Sequence, residues 1–250
     1  MATWLDTTFA DFDAAVSGAF HRLAEATGGA FNTPAELISM LAWKALCMFL
    51  LGLCLCLFAK TRKTGATVFL AVCFGALFTN IILKDAVARM RPPLASETYA
   101  AWRQFAAGAL SRVTEGELLE YSFPSGHTTA TTAAMTGLFL TTNKKRSWPA
   151  LLLIPVIGVS RIYLVAHYPT DVLGGILSGL LGAVIAYFAV GGIYALLTKY
   201  ESKRFCAFCL HFDPVVTLWK KIRGQEKAET VQETADEAES GATDDTEQNN

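Results

Sequence analysis

The sequence predicts an all-α, polytopic membrane helical bundle, with about five transmembrane helices behind an amino-terminal interfacial helix. Three observations carry that expectation. Of the 250 residues, 52% are apolar and only 17% are charged, against about a quarter charged in a soluble domain. The apolar residues are gathered into runs long enough to cross a bilayer. The cations cluster between alternate runs, as the positive-inside rule describes.

Residues 1–34 are interrupted by Asp6, Asp11, Asp13, Arg22 and Glu25, so they do not span. Trp4, Phe9, Phe12, Val16, Phe20 and Leu23 recur mostly at three- and four-residue steps, which gives a helix one apolar face. Two placements fit that face: flat in the membrane interface, or packed on the protein's own mouth. No cleavable signal peptide is expected, because a basic start followed by an apolar core is missing from these residues.

Five apolar runs follow, near 34–59, 65–83, 126–142, 148–165 and 172–197. Lys44 lies inside the first; snorkelling to a headgroup or pairing with a polar group both accommodate it. The fifth carries Gly174, Gly175, Ser178, Gly179 and Gly182, a spacing that admits a close helix neighbour. Lipid-facing glycines would read the same.

Lys60, Arg62 and Lys63 follow the first run, Lys144, Lys145 and Arg146 the third, and Lys199, Lys203, Arg204, Lys220, Lys221 and Arg223 the fifth. These segments are expected on the cytoplasmic side. The organisation expected is an interfacial segment 1–34, a transmembrane domain 35–197, a basic cytoplasmic juxtamembrane segment 198–225 and an acidic tail 226–250. The tail holds nine acids and one base, a net of −8, so the rest carries +7 of the chain's −1. With few large apolar residues it is expected to be disordered, as a solvated or an interaction tail. Cys206 and Cys209 supply only half of a four-ligand zinc site and read as free thiols.

Three polar clusters fall at the edges of these runs, all on the expected outer side: Lys84-x6-Arg91-Pro92, Pro124-Ser125-Gly126-His127, and Ser160-Arg161-x5-His167-x3-Asp171. A charged group near a membrane is costly without a role. Lys84 and Arg91, seven apart, are expected on one helix face as a point cation and a forked one, suited to phosphate. Ser125 is expected to cap a helix, with Gly126 admitting a ligand to backbone N–H groups that favour an anion. Pro169 is expected to open a new helix, from which Asp171 reaches back to His167. Arg161 adds a third cation. Each cluster alone has a structural reading; their convergence on one side of the membrane favours one shared site.

The motifs KDAVARMRP, FPSGH and SRIYLVAHYPTD resemble those of the type 2 phosphatidic acid phosphatase family, which shares its fold with vanadium haloperoxidases. The resemblance covers roughly residues 35–197. It implies a phosphatidic acid phosphatase/haloperoxidase-like helical core that removes phosphate from a lipid. It further implies His167 as nucleophile, Asp171 as its orienting partner and His127 as general acid. Lys84, Arg91, Ser125, Gly126 and Arg161 would hold the phosphate. No metal or other cofactor is expected, and the partners are a lipid phosphate and the bilayer, not nucleic acid. The expected location is the plasma membrane, with the site facing outward and the tail cytoplasmic. Family members often have six spans, against five here. Undecaprenyl pyrophosphate, phosphatidylglycerophosphate and phosphatidate are the candidate lipids, with a small lean to the prenyl pyrophosphate. The 94–121 loop mixes Arg103 and Arg112 with Glu97, Glu115, Glu117 and Glu120, and does not choose among them. Two other readings are a vanadate-dependent peroxidase and an inactive membrane scaffold.

Overall fold

The computed structural model describes residues 3–107 and 120–224, with no strand among them. Arg112, Glu115 and Glu117 of the 94–121 loop, the side chain of Lys44 and the acidic tail lie outside the described residues.

The chain opens with α1 (Trp4–Thr8) and α2 (Ala10–Ala26), followed by α3 (Asn32–Met40), α4 (Leu46–Cys56) and α5 (Arg62–Ala76). A π-helical stretch, Leu77–Leu83, joins α5 to α6 (Lys84–Val87). Two outer helices follow, α7 (Pro92–Ala95) and α8 (Glu97–Ala106). Next come α9 (Gly126–Thr141), α10 (Lys144–Ser147), α11 (Leu153–Tyr163), α12 (Pro169–Lys199) and α13 (Arg204–His211).

The centre is a three-helix packing of α5, α9 and α12. Its core is made of small and β-branched side chains: Val68, Ala71 and Val72 from α5, Ala130, Ala133 and Ala134 from α9, Ala183 and Ala186 from α12. Lipid tails are as apolar as leucine, so helices in a bilayer associate through close packing rather than exclusion of water. The small residues of α12 supply that closeness. A Cβ on Gly179 would sit 2.6 Å from the Thr129 carbonyl oxygen, and one on Gly182 2.8 Å from the Gly75 nitrogen. This stripe therefore faces the bundle, not lipid. Leu173, Leu177, Leu181, Val184 and Phe188 are exposed on the rest of α12. Gly179→Ala should force backbone apart and lower the melting temperature in detergent, by the equivalent of about 1–3 kcal/mol. Gly191→Ala, where a Cβ meets nothing within 4 Å, should not.

Among the described residues, two helical runs are long and apolar enough to cross a membrane: Arg62–Ala95, broken at Ala88, and Pro169–Lys199. The other expected crossings are shorter. The 34–59 run is not one helix: it bends through a 3-10 turn at Trp43–Ala45, where Ala45 is left-handed with φ 59°, before α4 begins. α4 has 11 residues and α9 has 16, or about 17 and 24 Å of rise. α10, a 3-10 stretch at Trp148–Leu152 and α11 run on without a gap.

The amino-terminal helices pack on the protein. α2 contacts α8, α11 and α12, burying Asp13, Ser17 and Ala24. His21 stacks on Trp102 of α8 with ring centroids 4.6 Å apart. Trp4, Phe9, Phe12 and Leu23 stay exposed on the outer face. At the other end, Arg62 donates to the Cys209 carbonyl at 2.8 Å and ties α13 to the start of α5.

Candidate active site

The three clusters meet. Lys84, Arg91, Gly126, His127 and His167 line one cavity of about 820 Å³, together with Glu120, Tyr121 and an apolar arm of Ala42, Ala45, Phe49, Ala76 and Ala130.

Lys84 and Arg91 arrive by a route that the seven-residue spacing does not describe. The helix stops at Val87, Ala88 takes a left-handed conformation with φ 50°, and Arg91 is extended as the N-cap of α7. The two cations therefore share a cavity, not a helix face. The turn at Ala88 and the prolines at 92 and 93 redirect the chain. The π-helical stretch just upstream is a distortion that often marks functional sites. Lys84 forms an ion pair with Glu120. Arg91 donates to the backbone carbonyls of Glu120 at 3.0 Å and Ala166 at 3.1 Å.

Ser125 stands at the N-cap of α9, but its hydroxyl accepts from Thr128 Oγ1 at 3.1 Å and caps no backbone N–H. Its own N–H donates to the Asp171 carbonyl at 3.0 Å, which joins the starts of α9 and α12. Both helix N-termini, with their partial positive charge, therefore lie at the same end. Gly126 faces open space on the cavity, where a Cβ would meet nothing within 4 Å.

His167 is 2% exposed. Arg91 Nη1 lies 3.2 Å from its Nε2. A guanidinium only donates, so Nε2 is the acceptor and the proton belongs on Nδ1. Nδ1 lies 3.5 Å from Asp171 Oδ2, on the expected side but beyond a normal hydrogen bond. Asp171, fully buried, spends its oxygens elsewhere: Oδ2 accepts from the Ser122 hydroxyl and from the Tyr168 N–H at 2.9 Å, and Oδ1 from Arg89 at 2.8 Å. Pro169 opens α12 as expected. Burial, then the charges of Arg91, Arg161 and Lys84, push the His167 imidazole well below its usual range. It is therefore neutral near pH 7, with the Nε2 lone pair turned toward the cavity cation Arg91 and released when that guanidinium turns to an anion. A reaction that needs this lone pair should keep its kcat/KM as pH falls through 6.5, with the acid limb lower, after correction for the substrate's own titration. An acid limb at or above 6.5 would contradict this electrostatic picture.

Arg161 is buried, donates to the Ser39 hydroxyl and does not line the cavity. Its charge nevertheless reaches His167.

One group was not singled out from the sequence. Arg89, 1% exposed, lies behind Asp171 and binds three carboxylates: Asp6 at 2.7 Å, Asp13 at 2.8 Å and Asp171 at 2.8 Å. The Tyr168 ring covers it at 3.9 Å. A signal existed in the seven-residue spacing of Asp6 and Asp13, which two helical turns would bring to one side. Burial works against ionised Asp6, yet hydrogen bonds from the Thr3 N–H and from Arg89 outweigh it and hold the carboxyl below its usual range.

A helical bundle with an apolar exterior, opening on a cavity lined by cations and histidines, defines a class of site whose chemistry suits an anion. The chain belongs to the PAP2 superfamily, whose family model matches residues 64–194. It is 28% identical over 137 residues to an undecaprenyl-diphosphatase of Sulfolobus acidocaldarius, covering 54% of this chain and 58% of that one. It is 28% identical over 153 residues to phosphatidylglycerophosphatase B of Bacillus subtilis, covering 57% and 64%. A crystal structure of a transmembrane PAP2-type phosphatidylglycerolphosphate phosphatase from Bacillus subtilis superposes with a TM-score of 0.47, at 25% identity over 76% of this chain and 89% of that one. The chain spans 42–64% of the length of the first curated relatives it matches.

Proposed function

We propose that this protein is a membrane lipid phosphatase working through a phosphohistidine at His167. The observation that carries the reading is the 3.2 Å approach of Arg91 to His167 Nε2, in a cavity that also holds Lys84, His127 and the open backbone at Gly126. A phosphate held by Lys84 and Arg91 would be placed against that nitrogen.

The chemistry follows from this placement. The Nε2 lone pair forms a bond to phosphorus, and the bond from phosphorus to the lipid-side oxygen breaks with its electron pair leaving on oxygen. His127 gives that oxygen a proton. Water then attacks phosphorus, the N–P bond breaks back to His167, and the water's proton returns to His127. Asp171 steadies the ring while it carries positive charge. Lys84, Arg91 and the start of α9 stabilise the charge on the phosphoryl oxygens in the transition state. No step calls for a metal.

The apolar arm of the cavity suits the first carbons of a lipid chain, and the matched relatives' names support a lipid phosphate or prenyl diphosphate. An outward-facing site and cytoplasmic basic segments are supported by the cation distribution. A prenyl diphosphate remains the preferred substrate because an outward site suits recycling of a spent carrier. The test is phosphate release by detergent-purified protein from undecaprenyl diphosphate, phosphatidylglycerophosphate and phosphatidate, with EDTA present. Release from at least one, with competitive inhibition by orthovanadate as a mimic of the transferred group, is expected. No release from any of the three, or release that EDTA stops, would sink the reading.

A further inference from the structure

The amino-terminal helices reach the reacting centre through buried charge. Asp13, 2% exposed, accepts from Arg89 Nη2 through Oδ2, and from the Thr170 N–H and hydroxyl at 2.9 and 2.7 Å. Thr170 is in the first turn of α12, next to Asp171. Arg89 Nη1 also donates to Thr170 Oγ1 at 2.7 Å and to Asp171 Oδ1 at 2.8 Å. Asp6 takes the remaining face of the guanidinium through Nε. The chain of contacts runs Asp6 and Asp13, Arg89, Asp171, His167.

Stability alone is a weak account of such a cluster, because buried ion networks are often no better than apolar packing. Charge balance offers another. A fully buried carboxylate needs a counter-charge, and Arg89 supplies it for Asp171. A guanidinium bound to Asp171 alone would neutralise the charge that His167 needs when its ring becomes cationic. With Asp6 and Asp13 sharing Arg89, the four groups carry a formal −2, and Asp171 keeps its charge toward the ring. On the other side, Lys84, Arg91 and Arg161 place positive charge around the same histidine.

We infer that Asp6 and Asp13 are positioning residues for the phosphoryl-transfer step, acting through Arg89 and Asp171 to set the orientation and basicity of His167. The amino-terminal helices are then a working part of the site and not only a membrane-facing cover. The inference rests on the phosphatase reading.

The experiment compares wild type, Asp13→Asn and Asp6→Asn in the same detergent, measuring kcat, KM, the pH profile of kcat/KM and the melting temperature. In Asp13→Asn, Arg89 turns more fully to Asp171. The expected result is a kcat about tenfold lower with KM within twofold. The acid limb moves to lower pH because His167, which shares its surroundings with Arg91, Lys84, Arg161, His127 and the Lys84-paired Glu120, loses part of the anionic support of Asp171. Asp6→Asn, a partly exposed site, should give the same pattern at about two- to threefold. It keeps the test alive if Asp13→Asn does not fold. A rate loss that tracks melting temperature with the acid limb unmoved would make the cluster merely structural and overturn the inference. Wild-type kcat and an unmoved acid limb in both variants would overturn it while the phosphatase reading stands. An inactive wild type would remove that reading, and the relay with it.

Discussion

Replacing His167 with alanine is expected to lower phosphate release from the best lipid substrate by at least about a thousandfold. Losing a covalent nucleophile removes the two-step route itself, not one contact along it. The folded protein should survive. His167 lies outside the helices, and beside its contacts to Arg91 at 3.2 Å and Asp171 at 3.5 Å its ring is buried against the unfavourable charges of Arg91, Arg161 and Lys84, so the melting temperature should move little. Trapping by acid-stable chemistry is unsuitable, because phosphohistidine is acid-labile. A quench in alkali after brief exposure to radiolabelled substrate should leave label on wild type and none on His167→Ala. Wild-type turnover in that variant would place the nucleophile elsewhere.

His127→Gln has the second largest expected effect, and it depends on the leaving group. General acid catalysis contributes about a hundred- to ten-thousandfold where the departing oxygen needs a proton. A lipid alkoxide needs one badly, so phosphatidate hydrolysis should fall over that range. p-Nitrophenyl phosphate releases a stable phenolate and should lose less than about tenfold. A prenyl diphosphate, which expels a phosphate monoester whose second pKa is about 6, should likewise lose little. Equal losses for all three would mean that His127 binds phosphate and gives no proton. The graded comparison therefore separates a proton donor from an anion ligand at a position buried at the start of α9.

The helical class and the convergence of the three clusters were legible because both rest on local signals. Long apolar runs report helices, and the His167-x3-Asp171 spacing across Pro169 reports a helix start. Other features depend on tertiary contacts that no local pattern encodes. Lys84 and Arg91 are seven apart, yet the left-handed turn at Ala88 breaks their helix, and alanine carries no signal for that turn. The 34–59 run reads as continuous because hydropathy is blind to the left-handed residue at Ala45. Asp6 and Asp13 read as interruptions of an apolar face because their partner, Arg89, lies more than seventy residues away. Arg89 stands inside KDAVARMRP, where nothing local distinguishes it from the neighbouring Arg91. The glycine stripe on α12 was visible, but which way it faced was settled only by Thr129, Thr132 and Gly75 lying against it.

That stripe also constrains motion. Where Gly182 meets Gly75 and Gly179 meets Thr129, backbone touches backbone, and α5, α9 and α12 have no slack to part and close again. On the phosphatase reading, a lipid must nevertheless enter and an altered lipid must leave. Breathing is therefore expected at the periphery: the bent α3–α4 segment beside the apolar lining of the cavity, and the α2–α8 contact around His21 and Trp102. Amide hydrogens in the central trio should be the last in the molecule to exchange. On the phosphatase reading, the rim should then set how often the site opens.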